Sequence, residues 1–150
     1  MRYIFFFFLT ICVSCRPINF SEKPNIILIV ADDLGYGDLS IFGNEYISTP
    51  NIDKLGNEGT ILTDFHSNGS VCSPTRAALL TGKYQQKVGV PGVITAKNHR
   101  DKGLSLDEKT FAEIAKEVGY KTGVFGKWHL GYDPKFSPIK QGFDEFIGFV

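Results

Sequence analysis

The apolar positions fall into continuous runs and periodic ones. Ile26-Ile27-Leu28-Ile29-Val30-Ala31 is continuous, short and rich in β-branched residues, and it stops at Asp32-Asp33. Such a run predicts a strand buried on both faces. Leu34-Gly35-Tyr36-Gly37-Asp38 follows as a glycine-punctuated loop. Thr49-Pro50 predicts a helix start, with Thr49 as cap, Pro50 in the first turn, Ile52 and Leu55 facing inward, and Gly59 closing the segment. Ile61 to Phe65 predicts a second strand, and Pro74 to Leu80 a short helix ended by Gly82. Gln85 to Lys102 has no period and reads as loop. Ser105 and Glu108 have capping-box spacing; Phe111, Ile114, Ala115 and Val118 then recur at helical spacing until Gly119. Thr122 to Phe125 predicts a short strand. Strands alternating with helices predict an α/β layer fold with parallel strands, in which ligands gather beyond the strands' carboxyl ends. Asp32-Asp33, Cys72 and the Lys127/His129 pair all fall at or past such ends.

The first fifteen residues have a different layout. Arg2 is followed by an apolar stretch, Tyr3 to Val13, and then by small Ser14 and Cys15. This is the order of an export signal, too short to serve as a mature membrane anchor. Ser14-Cys15 resembles the end of a bacterial lipoprotein signal, whose Cys is acylated; Cys12 stands where such signals usually carry Leu. Cleavage at another site is the second reading. Arg16 to Pro24 reads as a polar linker, which leaves residues 25–150 as the folded part.

Composition then narrows the class. Of the 150 residues, 43% are hydrophobic and 21% charged, the mix of a soluble globular protein. The formal net charge is zero, so no general attraction to nucleic acid is expected. Export makes the cysteines informative. Cys12 leaves with the signal and Cys15 lies at the new terminus, so Cys72 is the one thiol in the body. A lone thiol in an exported protein is incidental, half of an intermolecular bridge, or functional.

Three groups of residues could carry chemistry. Pro74 suits a helix's first turn, so Cys72 sits at or just before a helix N-terminus, where free N–H groups and the helix dipole favour negative charge. Arg76 adds a cation about one turn on. A small buried thiol beside a surface Arg is the plainer reading. Asp32-Asp33 places two carboxylates at the end of an apolar strand, an arrangement that a hard divalent cation resolves, although an exposed turn would also accommodate it. Asp38 is read as a loop residue before a ligand. Lys127 and His129 alternate on a short extended piece, which would put them on one side with Trp128 opposite. A cation beside an imidazole makes an oxyanion clamp; a solvated Lys and a core His are the alternative. His66 and His99 read as structural or surface residues.

Taken together, these groups carry a resemblance. Cys72-Ser73-Pro74-Thr75-Arg76-Ala77-Ala78-Leu79-Leu80-Thr81-Gly82 resembles the sulfatase signature, Cys-x-Pro-x-Arg before a helix ending in Thr-Gly. Asn25 to Asp38 resembles the family's opening strand and metal-binding Asp pair, and Gly126-Lys127-Trp128-His129-Leu130-Gly131 its second motif. Thr49 to Leu55, Gly119-Tyr120 and Gly142 to Phe146 also fit. The resemblance runs from about Pro24 to the last residue. It implies the N-terminal part of an alkaline-phosphatase/sulfatase-like α/β/α sandwich with a largely parallel central sheet. It also implies hydrolysis of sulfate monoesters, aryl or carbohydrate. In that family the signature Cys is oxidised to formylglycine by a formylglycine-generating enzyme; the aldehyde hydrates to a geminal diol, one oxygen attacks sulfur, and the other expels sulfate. Carried over by motif, Cys72 is the formylglycine precursor. Asp32, Asp33 and the modified Cys72 are Ca²⁺ ligands, Arg76 holds the diol, Lys127 binds sulfate oxygen and His129 orients the diol.

The family's catalytic domain is much longer, so a further metal-binding pair and leaving-group residues are expected beyond Val150, and this chain alone is expected to be inactive. A phosphonate or phosphodiester hydrolase of the same superfamily is the competing enzyme reading. A truncated glycan-binding pseudo-enzyme is the competing non-enzyme reading. The expected partners are a sulfated small molecule or glycan, the maturation enzyme and, through Cys15, a membrane lipid. The expected location is the periplasm or cell surface.

Overall fold

The computed structural model describes residues 23–150. The export signal, Cys15 and most of the linker therefore lie outside the described residues. The chain divides into two compact units, 1–31 and 32–150. In the first, no strand forms over the apolar run Ile26–Ala31. A strand exists by pairing, and the run has no ladder partner among the described residues.

The second unit is built from three α-helices and one small sheet: α1 (Pro50–Glu58), α2 (Cys72–Thr81), α3 (Phe111–Glu117), β1 (Gly123–Lys127) and β2 (Glu145–Phe149). β1 and β2 pair in parallel, Gly123 opposite Glu145 through Lys127 opposite Phe149. β2 carries no alternation in the sequence and was not foreseen. The crossover between the strands contains 3₁₀ turns at Pro134–Phe136 and Pro138–Gln141. The register sets Gly126 opposite Gly148, and a Cβ on Gly148 would lie 1.8 Å from the Gly126 carbonyl oxygen. Only glycine fits there.

Ile61 to Phe65 is an irregular segment with a turn at Thr63-Asp64, not a strand. It too lacks a ladder partner among the described residues, so Cys72 follows a loop. The cap of α3 also differs from expectation. Thr110 accepts from the Glu113 N–H at 3.3 Å, and Glu113 returns a bond from the Thr110 N–H at 2.8 Å. Ser105 instead accepts from Asp107 N–H, and Glu108 pairs with Lys83. The capping box nearest the first helical residue wins because only its groups reach the unpaired N–H groups of the first turn.

The core joins Ala77 of α2, Ala112 of α3, and Trp128 and Leu130 after β1. Val88, Val90, Ile94, Leu104 and Phe143 complete it from loops, so the aperiodic 85–102 segment is a structural layer despite lacking regular structure. Trp128 anchors the centre: its backbone N–H donates to Phe149 O at 2.9 Å and its indole N–H to Phe136 O at 2.9 Å.

Helix α1 is held differently. Asp53 accepts from the Ser40 hydroxyl at 2.6 Å, the Thr49 hydroxyl at 2.8 Å and the Ile41 N–H at 3.1 Å. Thr49 stands at the cap position, but its hydroxyl serves Asp53, not the helix's first N–H groups. Ile52 and Leu55 do not face a packed core. They remain 48% and 68% exposed and line an apolar cleft of about 380 Å³ with Leu39, Ile41, Phe42 and Leu62.

Candidate functional site

Helix α2 opens where the extended Val71 (φ −142°) gives way to Cys72, and Pro74 fixes a helical φ in the first turn. Gly82, at φ 65°, closes it by donating its N–H to Ala78 O. Ser73, Pro74, Ala77 and Ala78 are buried, which fixes the helix's rotation. Cys72 and Arg76, four apart, then share another face. Cys72 is half-buried at the helix N-terminus, as the proline position predicted.

Lys127 ends β1, and its Nζ is 3.1 Å from Cys72 Sγ and 2.8 Å from Asp32 Oδ2. Arg76 donates to the Lys127 carbonyl at 2.5 Å and lies 3.4 Å from Asp32 Oδ1. Asp32, Cys72, Arg76 and Lys127, up to 95 positions apart, therefore form one cluster. The Lys127 bond, and then the nearby Lys127 and Arg76 charges, hold the Asp32 carboxyl below its ordinary range against an opposing effect of burial. Asp32 and then Cys72 push Lys127 upward. Both groups stay charged at neutral pH. The Asp32 side chain is 42% exposed, so the pair orients the lysine more than it stabilises the fold.

His129 departs from the extended geometry expected of it. Its φ is 58°, a left-handed conformation unusual for a residue with a side chain. The extended stretch ends at Lys127, and Trp128 between the two residues is anchored in the core. His129 Nε2 is 2.8 Å from the Ile94 carbonyl, and the Ile94 N–H donates to Ser73 Oγ at 3.1 Å. His129 Nδ1 is buried without a hydrogen-bond partner among the described residues. Ser73 and the Ile94 backbone were missed by sequence reasoning. A backbone carbonyl leaves no trace in residue type, and a lone Ser in a helix reads as filler.

The remaining candidates sort plainly. Asp32 and Asp33 form a turn, with Asp33 at φ 57°. Asp38 caps its own loop, accepting from the Gly35 N–H at 2.6 Å. His66 is exposed and pairs with Asp64 at 2.8 Å, while His99 accepts from the Thr95 N–H. Both fit the structural reading. Among the described residues no three His, Cys, Asp or Glu side chains are placed to share a metal ion. The Lys127 ammonium lies between Asp32 and Cys72 as a counter-ion. The carboxylate oxygens suit a hard cation, yet two carboxylates offer fewer than the roughly six to eight oxygens that Ca²⁺ takes. The pair fits part of such a site.

Comparison with known proteins identifies the family. The Sulfatase family model matches residues 24–150. The chain is 49% identical to human arylsulfatase A over 131 residues, covering 85% of this chain and 25% of that protein. It is 40% identical to the dog N-acetylgalactosamine-6-sulfatase over 136 residues, covering 85% of this chain and 26% of that one. The chain thus spans about a quarter of the length of these relatives. Among solved structures, Ps i-CgsB in complex with k-i-k-neocarrahexaose is similar with a TM-score of 0.82 and 44% identity, over 86% of this chain and 28% of that one. The PsFucS1 sulfatase from Pseudoalteromonas sp. is similar with a TM-score of 0.76 and 37% identity, over 86% of this chain and 26% of that one. With an N-terminal α/β portion of the fold those structures share, and with Cys72, Arg76 and Lys127 gathered around Asp32, the chain belongs to the sulfatase family.

Proposed function

We propose that the complete protein hydrolyses sulfate monoesters, with carbohydrate sulfates as the substrate class, using formylglycine made from Cys72 and a Ca²⁺ ion held in part by Asp32 and Asp33. The observation that carries this reading is Lys127 Nζ, set between Cys72 Sγ and Asp32 Oδ2. Oxidised Cys72 supplies an aldehyde whose hydrate is the nucleophile toward sulfur, and the cation supplies Lewis acidity. The chain's own residues do the rest. Lys127, kept protonated by Asp32, offers a positive charge beside residue 72, where the anionic sulfate must sit. Arg76 holds the Lys127 carbonyl and so fixes the end of β1 against α2. His129 is held by Nε2 and keeps Nδ1 for a group in the site. The helix N-terminus at Cys72 favours the same negative charge. The carbohydrate preference rests on the similarity to Ps i-CgsB, whose solved complex contains k-i-k-neocarrahexaose.

The test uses the full-length protein made with a formylglycine-generating enzyme. Peptide mass spectrometry across Ser67 to Lys83 is expected to find an aldehyde at position 72. Sulfate esters are expected to turn over in preference to phosphonate and phosphate esters. Lys127→Ala is expected to lower kcat/KM by about a hundred- to a thousandfold. An active preparation carrying Cys72 wholly as thiol overturns the reading.

Export through residues 1–15, with acylation at Cys15 and placement in the periplasm or at the cell surface, is part of the same proposal. Its support is the order Arg2, apolar core, Ser14-Cys15. Fatty-acid labelling is expected to disappear in Cys15→Ser; label that persists rules out that anchor.

A further inference from the structure

Ser73 lies next to the proposed nucleophile position, is fully buried, and has an unusual partner. Its Oγ accepts the Ile94 N–H at 3.1 Å across 21 positions of chain. The same Ile94 residue, 5% exposed, presents its carbonyl to His129 Nε2 at 2.8 Å. A carbonyl oxygen only accepts, so Nε2 carries the proton. In the neutral ring Nδ1 is then the acceptor, and this atom is buried with no partner among the described residues. An unpaired acceptor in a buried place is costly unless something occupies it in use. The left-handed backbone of His129 and the anchored Trp128 before it restrict where the ring can go.

We propose that Ser73 is a positioning residue, whose hydroxyl holds Ile94 by its N–H and, through the carbonyl of the same residue, locks His129 as the Nε2–H tautomer with Nδ1 presented as an acceptor to the site. One residue thereby ties two parts of the machinery together. The helix that presents residue 72 also sets, through the backbone of one residue, the imidazole expected to orient the nucleophile. The inference rests on the sulfatase reading for its consequence on turnover, but not for the tautomer itself.

The experiment separates the two. Full-length protein labelled with ¹⁵N-histidine is examined as parent, Ser73→Ala and Ser73→Thr, with ring-nitrogen shifts of His129 assigned by His129→Gln. The parent is expected to show a single Nε2–H form. Ser73→Ala is expected to show mixed tautomers, and Ser73→Thr, which keeps the hydroxyl, to restore the parent pattern. Turnover, normalised to aldehyde content at position 72, is expected to fall roughly ten- to a hundredfold in kcat in Ser73→Ala, with KM little changed. A general loss of stability would not change the tautomer. If Ser73→Ala does not fold, Ser73→Cys, of similar volume and with a weaker acceptor, is read on the same nitrogens. A parent in the Nδ1–H form, or an alanine variant that keeps the single Nε2–H form, overturns the positioning role, as does an alanine variant with parental kcat per aldehyde. A parent without sulfatase turnover would sink the functional reading, and the ring nitrogens would still decide the role of Ser73.

Discussion

Helices α1 and α2 look alike in sequence. Each has a proline in its first turn and a glycine just past its end. Yet α2 buries Ser73, Pro74, Ala77 and Ala78, while α1 buries none of its residues. Each helix also carries two large apolar side chains, Ile52 and Leu55 on α1 and Leu79 and Leu80 on α2, and of these only Leu80 packs against the core. α2 packs Ala77 and Leu80 with the loop residues Val88, Val90 and Ile94, and Ser73 accepts the Ile94 N–H. α1 is fastened instead by one carboxylate, Asp53, at its first turn. An amphipathic pattern thus tells which face seeks cover, and the tertiary partners decide whether it finds any.

Substitutions can break this contrast. The largest effect is expected at the core beneath the site. Trp128→Ala removes a side chain 2% exposed, with an edge-on contact to Phe143 at 6.0 Å, and is expected to cost about 3–5 kcal/mol in urea unfolding of the complete protein. A cost near that of a surface change would mean that α2 and β1 do not share a core. Thr110→Ala removes the cap of α3 and the bond from its hydroxyl to Gln141 O at 2.7 Å. About 1–2 kcal/mol is expected from the same measurement. In the α1 region the effect is expected to follow pH. Asp53 is lowered from 3.8, chiefly by the Ser40 hydroxyl. Its contribution is therefore complete above that ordinary value and is lost as pH falls through the depressed one. Asp53→Asn is expected to lower the melting temperature near neutrality and to lose less than the parent on acidification below about pH 4. Smallest of all, Lys54→Ala is expected to change stability by less than about 0.5 kcal/mol, because its pair with Glu58 spans 3.9 Å in open solvent.

The sequence made some features legible and hid others for physical reasons. Helix ends could be read because proline and glycine act locally: Pro50, Gly59 and Gly82 mark boundaries that the structure keeps, and Pro74 stands in the first turn of a helix that begins at Cys72. Cys72, Arg76 and Lys127 could be named because their chemistry is written in residue type, and the structure joins them. The strands over Ile26–Ala31 and Ile61–Phe65 could not be judged, since pairing is not local and apolar content only permits it. β2 was hidden for the converse reason: its partner β1, not its own pattern, makes it a strand. The turn at His129 and the Ser73–Ile94–His129 link are three-dimensional facts about backbone groups that every sequence possesses.

On the proposed reading, the burial of α2 bears on the order of events in time. Ser73 and Pro74 are fully enclosed once the helix docks, and Arg76 is engaged with the end of β1. On the proposed reading, an enzyme that must grip Cys72 to Arg76 as an extended peptide loses its handhold at that moment. The interval for oxidising Cys72 then closes when α2 packs, and no later exposure of the half-buried thiol reopens it. Maturation becomes a race between modification and docking. A variant that slows α2 packing without unfolding the protein would yield more aldehyde per chain, so the fraction converted would serve as a clock for the docking of α2.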